Sequence, residues 1–546
     1  MRKPSGARPS ADQGPKFVDV TAQSKVTFRH QASPTSQKYL LETMGAGVAI
    51  FDFDNDGLPD LFFVNGAQID DPMGRQARPK KTSPQFWNRL YHQNKDGTFT
   101  DVTERAGLAG EGYGIGVAIG DYDNDGREDI FLTGYGHNTL YHNNGNGTFT
   151  DVTFAAGVRG FGWSTSAAWV DLDNDGRLDL VVARYLEWTF ESNLYCGEER
   201  KGYRAYCHPD VFKGISPLIY HNDGSGQFTE ITQKAGMGSA EGKGLGVAIA
   251  DVNGDGLIDV FIANDSVRQF LYQNKGNGTF EEVGMNAGVS VDSDGKTYAG
   301  MGADFGDYNN DGYPDLVVTN LAGQATALYE NVGDGTFNYS TFHSGLGAMA
   351  LQHSGWGVRF MDYDNDGWKD LLIAQSHVLD TIQLTFPHLH YLESPLLARN
   401  TGKGFVDVSA ISGEVFHEQW ASRGMAIGDL YNNGLLDAVI TTNNGPAHIL
   451  KNETHTLNHW ILLNLVGTRS NRDGIGALVK ITTPAGKSQF ATVSTAGSYL
   501  SSGDKRVHFG LAAENMIQEM VIHWPSGIVQ KLAKIKSDQL LTIREP

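Results

Sequence analysis

Three features of the sequence predict an all-β fold, a seven-bladed β-propeller with calcium loops followed by a small C-terminal β-sandwich. An acidic loop recurs seven times, short apolar runs flank each copy, and one strand of the repeat is displaced to the N-terminus. Repeated units of this kind dictate the architecture of a chain before any local pattern does.

The acidic loop has the form D-x-D-x-D-G-x-x-D. It begins at Asp52, Asp121, Asp171, Asp251, Asp307 and Asp362, with a decayed seventh copy at Asp429. Oxygen ligands at positions one, three, five and nine, with the carbonyl of position seven, wrap around one centre, and the glycine at position six permits the tight turn. The loops offer hard oxygen ligands and no nitrogen or sulfur, which favours calcium over zinc or copper.

The sequence therefore predicts six calcium sites, with Kd values of about 10⁻⁴–10⁻³ M or tighter. In the seventh loop, Tyr431 and Asn433 replace two of the acids, so that copy is the exception. The predicted ligands of the six sites are Asp52, Asp54, Asp56, Leu58 and Asp60; Asp121, Asp123, Asp125, Arg127 and Asp129; Asp171, Asp173, Asp175, Arg177 and Asp179; Asp251, Asn253, Asp255, Leu257 and Asp259; Asp307, Asn309, Asp311, Tyr313 and Asp315; and Asp362, Asp364, Asp366, Trp368 and Asp370.

Short apolar runs flank every loop. Runs such as "GIGVAIG" precede it and runs such as "DIFLTG" follow it, and both are rich in Val, Ile and Phe. Segments of this length are typical of buried strands rather than helices. A third strand then leads through an Asn/Gly turn into a fourth, as in "LYHNNGNGTFTDVT". Four strands per repeat are typical of a propeller blade.

The last repeat lacks its fourth strand, and the missing copy, "KFVDVT", lies at Lys16. We expect this strand to close the last blade, because closure removes a free sheet edge. The predicted organisation is a flexible lead over residues 1–15, a propeller over 16–454 and a C-terminal domain over 455–546. In that domain "WPSG" predicts a turn with a packed tryptophan rather than a sugar-binding platform.

Two insertions follow the second strand of their repeats, one from about Glu187 to Gly214 and one from Ser376. We expect both on the same face of the disc, where loops on a rigid scaffold commonly bind ligands. The first insertion holds the two cysteines, Cys196 and Cys207. A bridge there would contribute roughly 3 kcal/mol in an oxidising compartment, and two free thiols are the alternative.

The net charge of −20 argues against nucleic-acid or anionic-membrane partners. Positions one, three, five and nine of the seven loops hold 24 aspartates, so bound cations account for most of the acidity. No apolar run is long enough to span a membrane, and the basic N-terminus lacks the apolar core of a signal peptide. Calcium affinities of this order would leave sites empty in the cytosol, so we expect an extracellular, periplasmic or cell-envelope location.

The repeats resemble a known family. "VAIGDYDNDG" and "DIFLTG", together with "LYHNNGNGTFTDVT", resemble FG-GAP (VCBS) repeats, which also build integrin alpha propellers. "NRDGIGALVKI", "GSYLSSGDKRVHFGL" and "VIHWPSG" resemble the ASPIC/UnbV domain. The combination is similar to the cartilage acidic protein family and its bacterial relatives over residues 16–546. That resemblance implies a calcium propeller, often secreted, and no settled activity.

Candidate reactive residues are His137, His208, His377, Asp265, Arg268 and Arg423, some of which we expect at the central mouth of the propeller. No serine nucleophile elbow, phosphate loop or H-E-x-x-H motif occurs. We therefore expect a binding or adhesion module for a glycan, protein or small-molecule partner. The alternatives are a calcium-dependent enzyme acting at the central mouth, as in natural-product metabolism, and a structural envelope protein.

Overall fold

The computed structural model describes residues 16–546, so the predicted flexible lead lies outside the described residues. The regular secondary structure of its N-terminal part consists almost entirely of strands. They are β1 (Phe17–Asp19), β2 (Val48–Phe51), β3 (Asp60–Phe63), β4 (Arg89–Gln93), β5 (Phe99–Asp101), β6 (Tyr113–Gly120), β7 (Asp129–Tyr135), β8 (Thr139–Asn143), β9 (Phe149–Asp151), β10 (Ser164–Val170), β11 (Asp179–Arg184), β12 (Cys196–Gly197), β13 (Arg204–Ala205), β14 (Leu218–Gly224), β15 (Gln227–Glu230), β16 (Gly244–Ala250), β17 (Asp259–Asn264), β18 (Phe270–Asn274), β19 (Phe280–Glu282), β20 (Ala303–Gly306), β21 (Asp315–Val318), β22 (Ala327–Asn331), β23 (Phe337–Tyr339), β24 (Gly355–Met361), β25 (Asp370–Gln375), β26 (Leu396–Asn400), β27 (Phe405–Asp407), β28 (Ser422–Gly428), β29 (Asp437–Thr442) and β30 (His448–Asn452).

Helices are short and connect strands. The α-helices are α1 (Thr21–Ser24), α2 (Thr103–Ala106), α3 (Thr153–Ala156), α4 (Gly284–Ala287) and α5 (Leu346–Ala350). The 3₁₀ turns span Leu40–Thr43, Pro84–Phe86, Pro209–Val211, Ile382–Leu384, Ser409–Ile411 and Glu414–Phe416. None of the helices in the described part of the chain is long and apolar enough to cross a membrane.

Seven four-stranded antiparallel sheets form the blades, and their innermost strands contact one another in a ring: β2, β6, β10, β16, β20, β24, β28 and back to β2. This all-β propeller is the fold class that the sequence predicts. The last sheet has the order β1-β30-β29-β28, with Phe17 opposite Asn452. The displaced strand thus closes the ring as predicted, and the free edge of β30 is covered.

A ring of side-chain amides joins neighbouring blades. The residue that ends the third strand donates from its amide to a backbone carbonyl in the acidic loop of the preceding blade, as in Asn143 Nδ2 to Phe53 O at 2.8 Å. Gln93 makes the same bond to Leu430 O at 2.9 Å and so connects the first blade to the last. Each bond satisfies a buried carbonyl that water cannot reach, which stabilises the interface between blades.

In six of the seven loops the residue at the fourth position adds a second link between blades. The fourth position lies in the left-handed backbone region, which asparagine and glycine tolerate best: φ is 60° at Asn124 and 73° at Gly254. Asn124 also donates to Gly176 O of the next loop at 2.8 Å, and Asn432 reaches Gly57 O at 2.9 Å. The asparagine of "DNDG" therefore both adopts the backbone conformation that the turn needs and hydrogen-bonds the neighbouring blade.

The C-terminal part contains two sheets with a shared apolar core. Their strands are β31 (His459–Val466), β32 (Leu478–Thr482), β33 (Ser488–Thr492), β34 (Val507–Ala512), β35 (Met516–His523), β36 (Val529–Lys536) and β37 (Gln539–Arg544). Trp524 is 3% exposed, and its indole donates to Gln530 Oε1 at 3.0 Å. The "WPSG" segment is a turn with a packed tryptophan, as predicted.

Residues 494–505, which we call the axial loop, leave the C-terminal sheets and enter the centre of the ring. Ser498 and Ala303 exchange both backbone hydrogen bonds, at 2.7 and 3.1 Å. Leu500 O accepts from Val117 N at 3.0 Å, and Ser502 N donates to Val48 O at 3.0 Å. Through Val247, Ser166, Arg359 and Ile427 the axial loop also bonds the remaining innermost strands. The central channel is thus filled by the chain itself.

Candidate functional site

The acidic loops connect the first and second strands of each blade, on the face that carries the C-terminal sheets. In the second loop, Asp121 accepts from the backbone N–H groups of Asp125 at 3.0 Å and Gly126 at 2.7 Å. Asp129 accepts from Asn143 N at 2.7 Å and thereby ties the loop to the third strand. The carboxylates at positions one and nine therefore hold the loop closed, and the pattern repeats around the ring.

These carboxylates are crowded. The side chains of Asp121, Asp123 and Asp125 place oxygens within 4.8 Å of one another, as do those of Asp52, Asp54 and Asp56. Burial, reinforced by neighbouring acids, raises the pKa of Asp121 to about 8 and of Asp171 to about 7. A divalent cation would relieve this repulsion, and carboxylate, amide and carbonyl oxygens are the donors that calcium prefers. The residues present fit such an ion.

Three histidines reach these loops, which the sequence reasoning missed. His92, His142 and His221 occupy the same place on the third strands of the first three blades. Their Nδ1 atoms lie 3.3, 3.4 and 3.1 Å from the position-nine aspartates. Hydrogen bonding to Asp179 is the largest cause that raises the pKa of His221, to about 9. The signal was the "YH" that precedes the Asn/Gly turn in these three repeats, at the same distance before Phe99, Phe149 and Phe228.

The same third-strand place is occupied differently in the other blades, by Gln273, Glu330, Arg399 and Lys451. Arg399 Nη2 lies 3.1 Å from Asp364 and 3.3 Å from Asp366, the third and fifth positions of the sixth loop. The sixth loop has all four aspartates, and two of them are already paired with the positive charge of Arg399. Arg127 and Arg177 are also ion-paired, but each only with the position-five carboxylate of its own loop.

The seventh loop differs most from the others. Lys451 lies 5.0 Å from the ring of Tyr431, which fills position three. Arg506 donates to Asp429 O at 2.8 Å. This loop contacts the C-terminal part of the chain, where His508 Nε2 lies 3.1 Å from Gly434 O.

The opposite face of the disc contains a cavity of about 550 Å³, which we call the mouth cavity. Both insertions form its walls, so they lie on the same face of the disc, as predicted. Of the sequence candidates, Asp265, His208 and His377 line it. Arg423 is fully buried beside it, with its guanidinium 3.9 Å from the centre of the Trp356 ring. His137 and Arg268 lie elsewhere: His137 packs near Gly112, and Arg268 pairs with Glu241 and Glu282.

A disulfide and packed aromatic side chains hold the walls and floor of the mouth cavity in place. Cys196 and Cys207 form the predicted disulfide, and Cys207 lines the cavity. Trp356 lies on the floor, where its indole donates to Ser376 O at 2.7 Å. Tyr499 of the axial loop packs edge-on against Trp356, with ring centres 4.9 Å apart. The C-terminal part of the chain therefore supports the cavity from below.

Comparison with known proteins agrees with this architecture. The FG-GAP-like repeat family matches residues 52–132, 121–182, 213–262, 251–318 and 307–373, which is more than half of the chain. The chain belongs to the FG-GAP-like repeat family. The ASPIC and UnbV family matches residues 467–546, which hold most of the C-terminal strands and the axial loop.

Among curated relatives, this FG-GAP chain is 22% identical to human (Homo sapiens) cartilage acidic protein 1 over 97% of its own length and 76% of the relative's. The mouse (Mus musculus) protein is 23% identical, over 58% of this chain and 47% of the relative. Among solved structures, an Agrocybe aegerita lectin specific for non-reducing terminal N-acetylglucosamine has a TM-score of 0.41 at 16% identity, covering 74% of this chain and 87% of the lectin. Rhamnogalacturonan lyase YesW has a TM-score of 0.37 at 12% identity, covering 76% and 73%.

Proposed function

We propose that this protein is a calcium-binding module of the extracellular space or cell envelope, and that its ligand site is the mouth cavity. The observation that carries the proposal is the cavity itself, which two insertions, a disulfide and the ends of the innermost strands enclose over a filled channel. Its volume lies within the range of small-molecule sites, and its lining is mostly apolar with few polar groups.

Calcium serves as scaffold in this proposal. The acidic loops lie on the far face of the disc from the mouth cavity, and the residues around them brace neighbouring blades and the C-terminal sheets. Cations held there would stiffen the ring without contacting the ligand. The disulfide and the calcium affinity predicted for these loops, about 10⁻⁴–10⁻³ M or tighter, both favour a location outside the cytosol. The FG-GAP-like repeats support a binding or adhesion role in general.

The test is a binding screen with a variant that fills the cavity. Glycans, peptides and small molecules are presented to the full chain in calcium-containing buffer, and hits are measured by calorimetry. Ala322 lines the cavity from a half-buried loop, so Ala322→Trp should abolish binding of a true ligand. Ala240→Trp, on an exposed loop outside the cavity, is the matched control. A ligand that binds Ala322→Trp as well as the parent would place the site elsewhere and overturn the proposal.

A further inference from the structure

The mouth cavity has one acidic side chain and no lysine or arginine among the residues that line it. That acid, Asp265, is 9% exposed and follows the second strand of the fourth blade. Its carboxylate accepts from the Tyr185 hydroxyl at 2.6 Å and from Ser266 Oγ at 2.9 Å. Both donors are neutral, and burial raises the pKa of Asp265 above its ordinary value, so the ionised carboxylate lacks an ion-pair partner within the chain.

No cationic side chain within residues 16–546 lies within 4.0 Å of Asp265. Lys243, the nearest lysine along this wall, instead pairs with Asp210 at 3.2 Å and donates to Pro209 O at 3.0 Å. A carboxylate has about four acceptor positions, and two of those on Asp265 are used. Burial without a counter-charge disfavours the ionised carboxylate, and a positive partner from outside the chain would stabilise it.

None of the other titratable groups around the cavity is ion-paired with Asp265, although His208 and Lys243 lie near enough to lower its pKa, and His388 lies on an exposed part of the second insertion. His377 accepts from Leu379 N through Nδ1 at 3.0 Å, and burial beside Arg423 lowers its pKa to about 4, so it is neutral at pH 7. His208 extends into solvent and approaches Asp210 instead. Arg423 lies behind Trp356 and is fully buried. A positive ligand group is therefore favoured on the Asp265 side of the cavity and disfavoured near Trp356.

The remaining walls suit an apolar body. Leu245, Met301 and Leu379 line the cavity, and the rings of Tyr185, Tyr206 and Phe386 face it or its rim. Aromatic rings next to a carboxylate are the arrangement that stabilises ammonium groups through cation–π attraction. The apolar area would bury a hydrocarbon portion at the same time.

We propose that the mouth cavity binds an organic cation, an amine or quaternary ammonium with an apolar body, whose positive group pairs with Asp265. This inference rests on the proposed function, because it names the ligand class of the same cavity.

The test uses three probes of nearly the same shape and different charge: cyclohexylmethylammonium, cyclohexylmethanol and cyclohexanecarboxylate. Each is titrated into the full chain at pH 7 in calcium-containing buffer by calorimetry. The ammonium should bind about tenfold or more tightly than the alcohol, and the carboxylate more weakly still. Asp265→Asn should remove the preference for the ammonium. Glu199→Gln, which removes an exposed acid of the first insertion outside the cavity lining, should retain it.

The outcomes separate this inference from the proposed function. Equal binding of the three probes, or a preference for the carboxylate, would overturn the cation class while leaving the cavity as a binding site, provided that Ala322→Trp abolishes the binding. Binding of none of the probes would overturn the cation class, and failure of the wider screen would then overturn the proposed function as well. Should Asp265→Asn not fold, Tyr185→Phe keeps the charge, and with it the preference for the ammonium must persist.

Discussion

Acidic loops with similar sequences differ in the third-strand residue that faces them, and this residue determines whether the loop has an added cation ligand or a competing positive charge. Histidine, glutamine and glutamate have lone pairs that can serve a cation, whereas the guanidinium of Arg399 has donors only and stays charged. Arg399 bridges two of the carboxylates that the calcium prediction assigns to the sixth site. An intact motif in the sequence therefore does not guarantee a strong site.

Replacing Arg399 with glutamine should tighten cation binding by the sixth loop several-fold. Glutamine is the residue at the equivalent position of the fourth blade, Gln273. A partly exposed ion pair of this kind is worth about 1 kcal/mol or less, and its removal frees both carboxylates. Calcium calorimetry on the parent and the variant measures the change. Arg89→Gln, which removes an arginine paired with Asp101 away from any loop, is the control. An unchanged isotherm for Arg399→Gln would show that calcium displaces Arg399 without cost.

At the scale of elements, the axial loop connects the C-terminal sheets to the blades of the propeller. Its backbone bonds the innermost strands of the blades, and Tyr499 lies at its tip, fully buried. Tyr499 donates to Met44 O at 3.2 Å and packs on Trp356. The element that fills the channel therefore also supports the floor of the mouth cavity.

Tyr499→Ala should lower the free energy of unfolding by about 3 to 5 kcal/mol, the range for emptying a large aromatic site in a core. Tyr499→Phe keeps the ring and loses one hydrogen bond, so it should cost about 1 kcal/mol. Denaturant titration monitored by tryptophan fluorescence reports both. Similar small losses for the two variants would mean that the axial loop is not part of the cooperative core.

At the scale of the molecule, the ring of acidic loops makes stability depend on pH and calcium together. Burial raises the pKa of Asp60 to about 7, of Asp121 to about 8 and of Asp315 to about 9, from an ordinary value of 3.8. The native chain thus retains protons that the unfolded chain has already lost. Stability without calcium should therefore fall as the pH rises from about 4 through these values. The raised pKa of His221 acts in the same direction, because its contribution is lost above about 9.

Thermal unfolding in excess EDTA should show a melting temperature that decreases from pH 5 to pH 8. Calcium binds the ionised carboxylates, so in its presence the decrease should shrink or reverse, and the stabilisation by calcium should grow with pH. Scans at both pH values, with calcium restored to the EDTA sample as the control, measure the effect. Parallel pH profiles with and without calcium would contradict the calcium assignment.

The sequence alone determined the repeat, the four strands of each blade and the closing strand, whereas it left the bridge between Cys196 and Cys207 as one of two alternatives that the structure decided. The repeat and its strands follow from local patterns: apolar runs of strand length, Asn/Gly turns, and a missing fourth strand whose copy stands at Phe17. Repetition strengthened each inference, since a pattern seen in several blades is more informative than one seen once. The loop ligands follow from the same spacing and stay a prediction until a cation is measured.

Only the tertiary structure decided what each loop and each cavity wall contacts. Arg399 and Asp364 are distant in sequence but adjacent across two strands, and the axial loop meets strands from every blade. Asp265, His208 and His377 come from three different blades and share one cavity, while His137 and Arg268, which look equivalent in sequence, do not reach it. The sequence pattern specifies the strands because the alternation of apolar residues and the turns that pair neighbouring strands involve residues close together in the sequence. Pairings between blades depend on ring closure, which no single repeat encodes.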